Sequence, residues 1–337
     1  MQTYTKNQTA IVTALAPISH GYIRAMNEKD KEGEENILRF RQLPFLIKEG
    51  ENRLTEKDLY CVSGNGMRGL GRRLMFHHCF QDVLDIHFDE LLKEHTPLHR
   101  RYVVNLFENG GSTPKGSKAA GGVPASTYDE VLKDLPMLDL LGGVYITHHF
   151  NGAAIIGNLI LRTKETQDFF TKQHPLFTDD ATDLPLASVI DVKIERHTKS
   201  QSNRDASLYQ DSMSSDENAK NNLKSAAIYG AEVLPVGTSF YWESALRYTP
   251  NEGTALAFDA FLALIARHGF IGGMNSKGYG YVNIDFDGLD TKDAVEKFDQ
   301  YLLDHKDDVI KGIHLIADEF KYTLNAKSSK AKKEAAK

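Results

Sequence analysis

The chain has 337 residues, of which 41% are hydrophobic and 26% are charged, a composition that supports a packed core and is typical of globular proteins. Forty basic against 46 acidic side chains give a formal net charge of -6, which excludes a uniformly positive coat but not a local basic groove. Two cysteines exclude a disulfide scaffold and a cysteine-rich zinc module. We therefore expect a cytoplasmic protein without a signal peptide or a membrane span.

Apolar runs and turn residues predict the elements of the first half of the chain. These are a strand over 9–15, an irregular charged segment over 22–58, a short apolar run over 59–62, a helix over 67–80, a second helix over 83–98 and a mobile glycine-rich loop over 108–126. Either Ser63 or Asn65 is a suitable N-cap for the first helix. Pro97 is expected to close the second.

The second half predicts further strands and the best helix of the chain. In order, these are a hairpin over 142–163 with Asn151-Gly152 as its turn, a strand over 186–197, a polar stretch over 198–224, a strand over 226–248 broken at Pro235 and Gly237, a helix over 254–268 ended by Gly269, a strand over 281–286, a helix over 293–324 and a basic tail over 327–337. The strong elements follow the β-α-β-β-α-β order of a ferredoxin-like α+β fold.

One glycine motif follows a predicted strand and opens a helix. Gly64, Gly66 and Gly69 satisfy G-x-G-x-x-G, and Asp89 lies 20 residues further on, so a dinucleotide-binding oxidoreductase is one interpretation. No run of βαβ units follows the motif, however. Arg68, Arg72 and Arg73 crowd the helix, which favours a longer polyanion. A tight turn beside a solvated arginine face is the remaining alternative.

A second glycine cluster, over 272–280, carries Lys277. Glycine lets a backbone approach a phosphate chain closely, although this cluster alone is equally well explained as a structural turn. Two glycine loops with basic residues in one chain suggest a shared polyanionic ligand.

The sequence gives little support for metal binding or for catalysis by a cysteine. The adjacent pairs His77-His78 and His148-His149 point apart on a helix or a strand, and neither cysteine has a visible context for a low pKa. We expect no metal site and no cofactor. Trp242 is expected in the core more than at a base-stacking surface.

Several motifs, in this order, resemble those of the RAMP superfamily of CRISPR systems. They are Ser19-His20-Gly21, the segment 61–73 (CVSGNGMRGLGRR), Leu141-Gly142-Gly143, the segment 192–198 (VKIERHT), the segment 231–240 (AEVLPVGTSF) and the segment 272–281 (GGMNSKGYGY). Their order and spacing are most similar to the backbone subunit of class 1 CRISPR effector complexes, and in length and loops to the type IV backbone protein.

The resemblance implies one RAMP-type domain over 1–337 with a modified ferredoxin-like (RRM-like) palm. Its inserted finger regions would be 22–58 and 82–140, its thumb loop 198–225, and its C-terminal helix and basic tail 287–337. Copies would stack head to tail along a CRISPR RNA as a helical filament. They would present the guide for pairing with a target, which for type IV relatives is DNA. The other partners implied are further effector subunits and a helicase, in an antiviral ribonucleoprotein.

The resemblance and the basic glycine loops together select the candidate RNA-binding residues. These are His20, Asn65, Gly66, Arg68, Arg72, Arg73, Arg196, Gly272, Gly273 and Lys277. We expect a non-enzymatic subunit. The type III relatives cleave target RNA with a loop aspartate and a divalent metal, but the corresponding stretch here, 39–47, holds no carboxylate. A nuclease of that kind, with Asp30 as its substitute carboxylate, is the alternative.

Overall fold

The computed structural model describes residues 6–22, 37–49, 53–119, 121–166, 193–198, 228–248 and 251–324. In chain order the strands are β1 (Lys6–Ala14), β2 (Gly21–Tyr22), β3 (Ile37–Phe40), β4 (Gln42–Glu49), β5 (Arg53–Val62), β6 (Gly111–Ser112), β7 (Ser117–Ala119), β8 (Gly143–Tyr145), β9 (His148–Phe150), β10 (Ala154–Ile156), β11 (Leu159–Leu161), β12 (Lys193–Thr198), β13 (Ile228–Val233), β14 (Ser239–Leu246), β15 (Val282–Phe286) and β16 (Tyr322–Leu324). The helices are α1 (Gly64–Phe76), α2 (Phe88–Leu91), α3 (Pro97–Asn109), α4 (Ala125–Asp134), α5 (Pro136–Leu141), α6 (Glu252–His268), α7 (Thr291–Asp304) and α8 (Lys306–Glu319), with a π-helical segment at His77–Val83 and a 3-10 turn at Asn275–Lys277.

The main sheet is antiparallel, in the order β15-β1-β14-β11-β5-β4, and β10 also pairs with β14. Ala10 on β1 lies opposite Trp242 on one side and Phe286 on the other. The strands predicted over 9–15 and 281–286 are thus confirmed as β1 and β15. Four of these strands follow the chain order β1, β11, β14, β15. In the sheet they lie side by side as β15-β1-β14-β11, which is the order fourth, first, third, second.

Helices α1 and α6 pack closely against each other. A Cβ at Gly71 would lie 2.2 Å from Cε2 of Phe261, so only glycine allows this approach. Helix α6 is buried on most sides and ends at Gly269, whose φ is 66°, which confirms the predicted glycine C-cap. Trp242 is 1% exposed and belongs to the main core, as expected. No helix within the described ranges has both the length and the apolar character that a bilayer crossing demands.

The described residues also form three smaller sheets, in the orders β12-β13-β3-β2, β6-β8-β9 and β16-β7. The first of them adjoins the end of β1, because Ile18 and Leu234 form a two-way backbone bridge with N···O distances of 3.0 and 2.9 Å. The break predicted at Pro235 and Gly237 is confirmed, since it separates β13 from β14.

The prediction that the charged segment 22–58 is irregular is wrong in part, because 42–49 and 53–60 pair as an antiparallel hairpin. Glu56 and Asp58, which share one face of β5, lie exposed, while Leu59 on the opposite face is buried. Charged residues thus occupy the open face of a strand. Pro44 is tolerated because β4 is an edge strand.

The helix predicted over 83–98 is wrong. Pro97 begins helix α3 instead of closing a helix, and Thr96 Oγ1 accepts a hydrogen bond from the His99 amide at 3.3 Å. Proline suits the first helical position because its missing N–H would have no partner there. The predicted loop over 108–126 contains β6, β7 and the start of α4.

The predicted hairpin over 142–163 is also misplaced. Strands β8 and β9 turn at Ile146, whose φ is 56°, whereas β10 and β11 belong to the main sheet. Gly152 serves a close approach, because a Cβ there would lie 2.5 Å from the Leu141 carbonyl carbon. The single C-terminal helix predicted over 293–324 is two helices separated at His305 and followed by β16.

Candidate nucleic-acid interface

The N-terminus of α1 is capped by Ser63. Its Oγ accepts from the Gly66 amide at 3.1 Å and its carbonyl accepts from the Met67 amide at 3.0 Å, so Ser63 is the N-cap that the sequence offered beside Asn65. The Gly64 amide donates to Asn158 Oδ1 at 2.8 Å. Within the described part of the chain, the Asn65 amide has no hydrogen-bond acceptor, whereas the other amides of the first turn of α1 have one. Asn65 and Gly66 are exposed.

His20 lies directly against this helix end. The Ser63 amide donates to His20 Nε2 at 3.0 Å, and Ser63 Oγ lies 3.2 Å from the same nitrogen. Since an amide can only donate, Nε2 carries the lone pair and the ring proton of the neutral imidazole is on Nδ1. Burial, and secondly the charge of Arg41, lower the pKa of His20, which stabilises this neutral acceptor form.

The second glycine loop reaches the same segment from the other side. The Gly273 amide donates to the Ser19 carbonyl at 2.7 Å, and the Gly280 amide donates to the Pro17 carbonyl at 2.8 Å. A Cβ at Gly272, whose φ is 77°, would lie 2.3 Å from Ser19 O. The structure therefore brings both glycine loops to the segment that ends at His20.

Two of the predicted basic ligands are exposed. Lys277 lies on the 3-10 turn of the second loop, and Arg73 lies on α1. Sequence reasoning did not select Arg41, which is exposed and lies between His20 and the sheet: its amide donates to the His20 carbonyl, and its carbonyl accepts from the Cys61 amide, both at 3.0 Å. The signal that could have found Arg41 is the pairing of 42–49 with 53–60, which brings Arg41 beside the start of α1.

Two of the predicted RNA ligands are engaged inside the protein. Arg72 is 5% exposed and donates to the Leu141 carbonyl at 2.9 Å, while its other terminal nitrogen, NH1, is buried without a hydrogen-bond partner. Arg68 donates to Leu141 O at 3.2 Å and to Ala154 O at 2.6 Å. Burial lowers the pKa of both, to about 10 for Arg72. A phosphate contact by Arg72 requires its guanidinium to leave Leu141.

Arg247 extends this arginine cluster towards solvent. Its guanidinium donates to the Gly152 carbonyl, and its charge lowers the pKa of Arg68 in addition to burial. Among the described residues, no carboxylate lies within 4.0 Å of the guanidinium nitrogens of these three arginines. The cluster is therefore positive and is held by backbone carbonyls.

Arg196 is placed only by its backbone, which pairs with Gly230 across β12 and β13. Asp30, most of the predicted thumb loop 198–225 and the basic tail 327–337 lie outside the described residues.

The dinucleotide interpretation is overturned by the sheet. The strand before Gly64 pairs antiparallel with both of its neighbours, whereas a dinucleotide-binding fold needs a parallel βαβ unit. Asp89 is on the short helix α2 and pairs with Arg100 at 3.3 Å.

The histidine pairs and cysteines have structural surroundings. His78 pairs with Asp299 at 2.6 Å while its neighbour His77 contacts Gln81, and His148 is buried while His149 is exposed. Burial raises the pKa of Cys61 to about 11 and also raises that of Cys79. Across the ranges that the structure describes, no cluster of three potential metal-ligating side chains is found.

No protein-family model and no curated protein matches the sequence. Among solved structures, the chain is similar to one titled "Type IV-B CRISPR Complex", with a TM-score of 0.47 and 16% sequence identity. The match covers 85% of this chain and 92% of that chain.

Proposed function

We propose that this protein is an RNA-binding backbone subunit of a CRISPR effector complex of the type IV kind that its motifs resemble. In this proposal it binds the CRISPR RNA by its phosphates, and further copies stack along the same RNA as a filament. The guide is thereby presented for pairing with a target, proposed to be DNA. Other effector subunits and a helicase are the remaining proposed partners, and the compartment is the cytoplasm.

The observation that carries the proposal is the convergence of three segments at His20. Ser63 at the start of α1 contacts the imidazole, and Gly273 pairs with the preceding residue, Ser19. Exposed backbone at Gly66 and Gly272, together with the exposed side chains of Arg41 and Lys277, offers close approach and positive charge without groups that select a base. Such a surface suits a phosphate chain of any sequence.

The fold supports the same proposal. The order fourth, first, third, second of β1, β11, β14 and β15 is the order expected of a ferredoxin-like palm with α1 and α6 as its two helices. The predicted thumb would extend from the antiparallel pair β12 and β13, which belongs to the small sheet beside His20. The net charge of -6 then implies an acidic outer surface, which limits nonspecific association.

The proposed role is binding without cleavage. Metal-assisted cleavage needs a carboxylate to hold the metal or orient the nucleophile. The stretch 39–47, which contains Arg41 beside His20, has no carboxylate.

The test measures the salt dependence of RNA affinity. The double variant Arg41→Ala/Lys277→Ala is compared with Lys292→Ala/Lys297→Ala, which removes two exposed lysines from α7 and so matches the change in net charge. We expect the first variant alone to weaken binding of two unrelated single-stranded RNAs equally. Its slope of log affinity against log salt should fall by about 0.7 for each lost phosphate contact. Identical slopes for both double variants would refute this surface as the RNA site.

A further inference from the structure

An aromatic pair, half-buried at Phe270 and exposed at Tyr281, lies where the second glycine loop enters β15. Phe270 and Tyr281 form an antiparallel bridge, and their ring centroids are 5.2 Å apart with planes tilted by 41°. Tyr281 is nonetheless 47% exposed. A Cβ at Gly269 would lie 3.3 Å from Cε2 of this ring, so the backbone of the α6 C-cap supports the ring from beneath.

Further apolar and basic residues border the pair. Leu15 is 47% exposed, and its amide donates to the Tyr281 carbonyl at 2.8 Å. Arg267 and His268, in the last turn of α6, are exposed, and the His268 ring lies 5.8 Å from that of Phe270. The surface therefore combines exposed aromatic area with the positive charge of Arg267.

One backbone segment links this surface to the candidate RNA site. Leu15 and Ala16 donate to Tyr281, and three residues later Ser19 accepts from Gly273 beside His20. Five residues of extended chain reach at most about 18 Å, so the aromatic pair and the phosphate-binding loops lie within one RNA segment's length.

We propose that Tyr281, supported by Phe270, is a stacking platform for a nucleobase of the RNA strand whose phosphates contact the loops around His20. The inference rests on the proposed function and adds a base contact to it. Nucleobases stack on aromatic faces regardless of sequence, while neighbouring cations bind the backbone. This geometry therefore gives affinity for single-stranded RNA without sequence selection.

The experiment distinguishes contact of the Tyr281 ring with a nucleobase from contact with the RNA backbone alone. Affinity of the full chain is measured for a single-stranded RNA and for the same strand made abasic. Tyr281→Ala is expected to weaken binding of the intact strand about five-fold or more and to leave the abasic strand unaffected. Tyr281→Phe should retain affinity. Leu303→Ala, which removes a 52% exposed side chain from α7, is the control for loss of exposed apolar area.

A second readout uses fluorescence. The one tryptophan of the chain, Trp242, is buried, so Tyr281→Trp adds an exposed reporter whose emission the intact RNA should quench. If Tyr281→Ala binds both strands as the wild type does while Arg41→Ala/Lys277→Ala weakens both, the platform is refuted and the proposed function stands. A loss of self-association with unchanged RNA affinity would also refute the platform. If the wild type binds neither strand, the proposed function itself fails.

Discussion

Arg68 and Arg72, one turn apart on α1, donate hydrogen bonds to the same acceptor, the Leu141 carbonyl. Leu141 is the last residue of α5, and the final carbonyls of a helix have no acceptor role inside that helix. Two guanidinium groups supply the missing donors and also complement the negative end of the helix dipole. The pair that we expected on RNA phosphates therefore joins α1 to α5.

Arg72→Ala is expected to destabilise the fold. The Leu141 carbonyl loses a donor, and a hydrogen bond to a charged group contributes roughly 1.5–3 kcal/mol. We expect the free energy of unfolding in urea to fall by about 2 kcal/mol. Arg73→Ala, which alters an exposed neighbour on the same helix, should change it by less than about 0.5 kcal/mol.

RNA binding separates the two possible roles of Arg72. If Arg72→Ala unfolds at the wild-type urea concentration but binds RNA with a reduced salt slope, then Arg72 is a phosphate ligand and does not hold α1 to α5. Reduced stability with an unchanged slope in the folded variant would support the structural role.

Local sequence patterns correctly predict the elements that depend only on neighbouring residues. Helix α6, its Gly269 cap and strand β1 follow from apolar spacing and a single glycine. The acceptor of Arg72 could not be predicted this way, because Leu141 is 69 residues away in the chain. Its carbonyl becomes available only once α5 ends there.

The β4 and β5 hairpin shows a second limit. In the sequence, the alternating charges of this hairpin resemble a solvated loop. They become the exposed face of a strand only when β4 and β5 pair at the edge of the sheet. The same pairing brings Arg41 to His20. A prediction that lacks the hairpin therefore cannot place Arg41 in the candidate site. By contrast, the convergence of the two glycine loops was suggested by their shared composition.

Stability is expected to decline in acid in part through His20. Its pKa in the folded protein is lowered from the ordinary value of 6.5, so below pH 6.5 the unfolded chain binds the proton more readily than the folded one. The free energy of unfolding then decreases as pH falls from 6.5 to the folded pKa, and the contribution is fully present above that window. Protonated Nε2 also cannot accept from the Ser63 amide.

Urea unfolding between pH 7.5 and 5 checks this prediction. His20→Gln keeps an acceptor for Ser63 but does not titrate, so its stability should fall less steeply than that of the wild type below pH 6.5. His149→Gln, at an exposed position on β9, is the control. Parallel pH profiles for the wild type and His20→Gln would contradict the assignment.

The last prediction separates close approach from backbone conformation in the second glycine loop. Gly272 and Gly278 have φ of 77° and 83°, but a Cβ at Gly272 would meet Ser19 O at 2.3 Å, whereas a Cβ at Gly278 has nothing within 4 Å. Both alanine variants incur the left-handed backbone cost of about 1–2 kcal/mol. Only Gly272→Ala also forces the loop away from Ser19 and breaks the bond from the Gly273 amide. We therefore expect Gly272→Ala to lower both stability and RNA affinity further than Gly278→Ala, in urea unfolding and in anisotropy titrations at one salt concentration. Equal losses for the two variants would mean that the contact between the loop and Ser19 contributes neither to stability nor to RNA affinity.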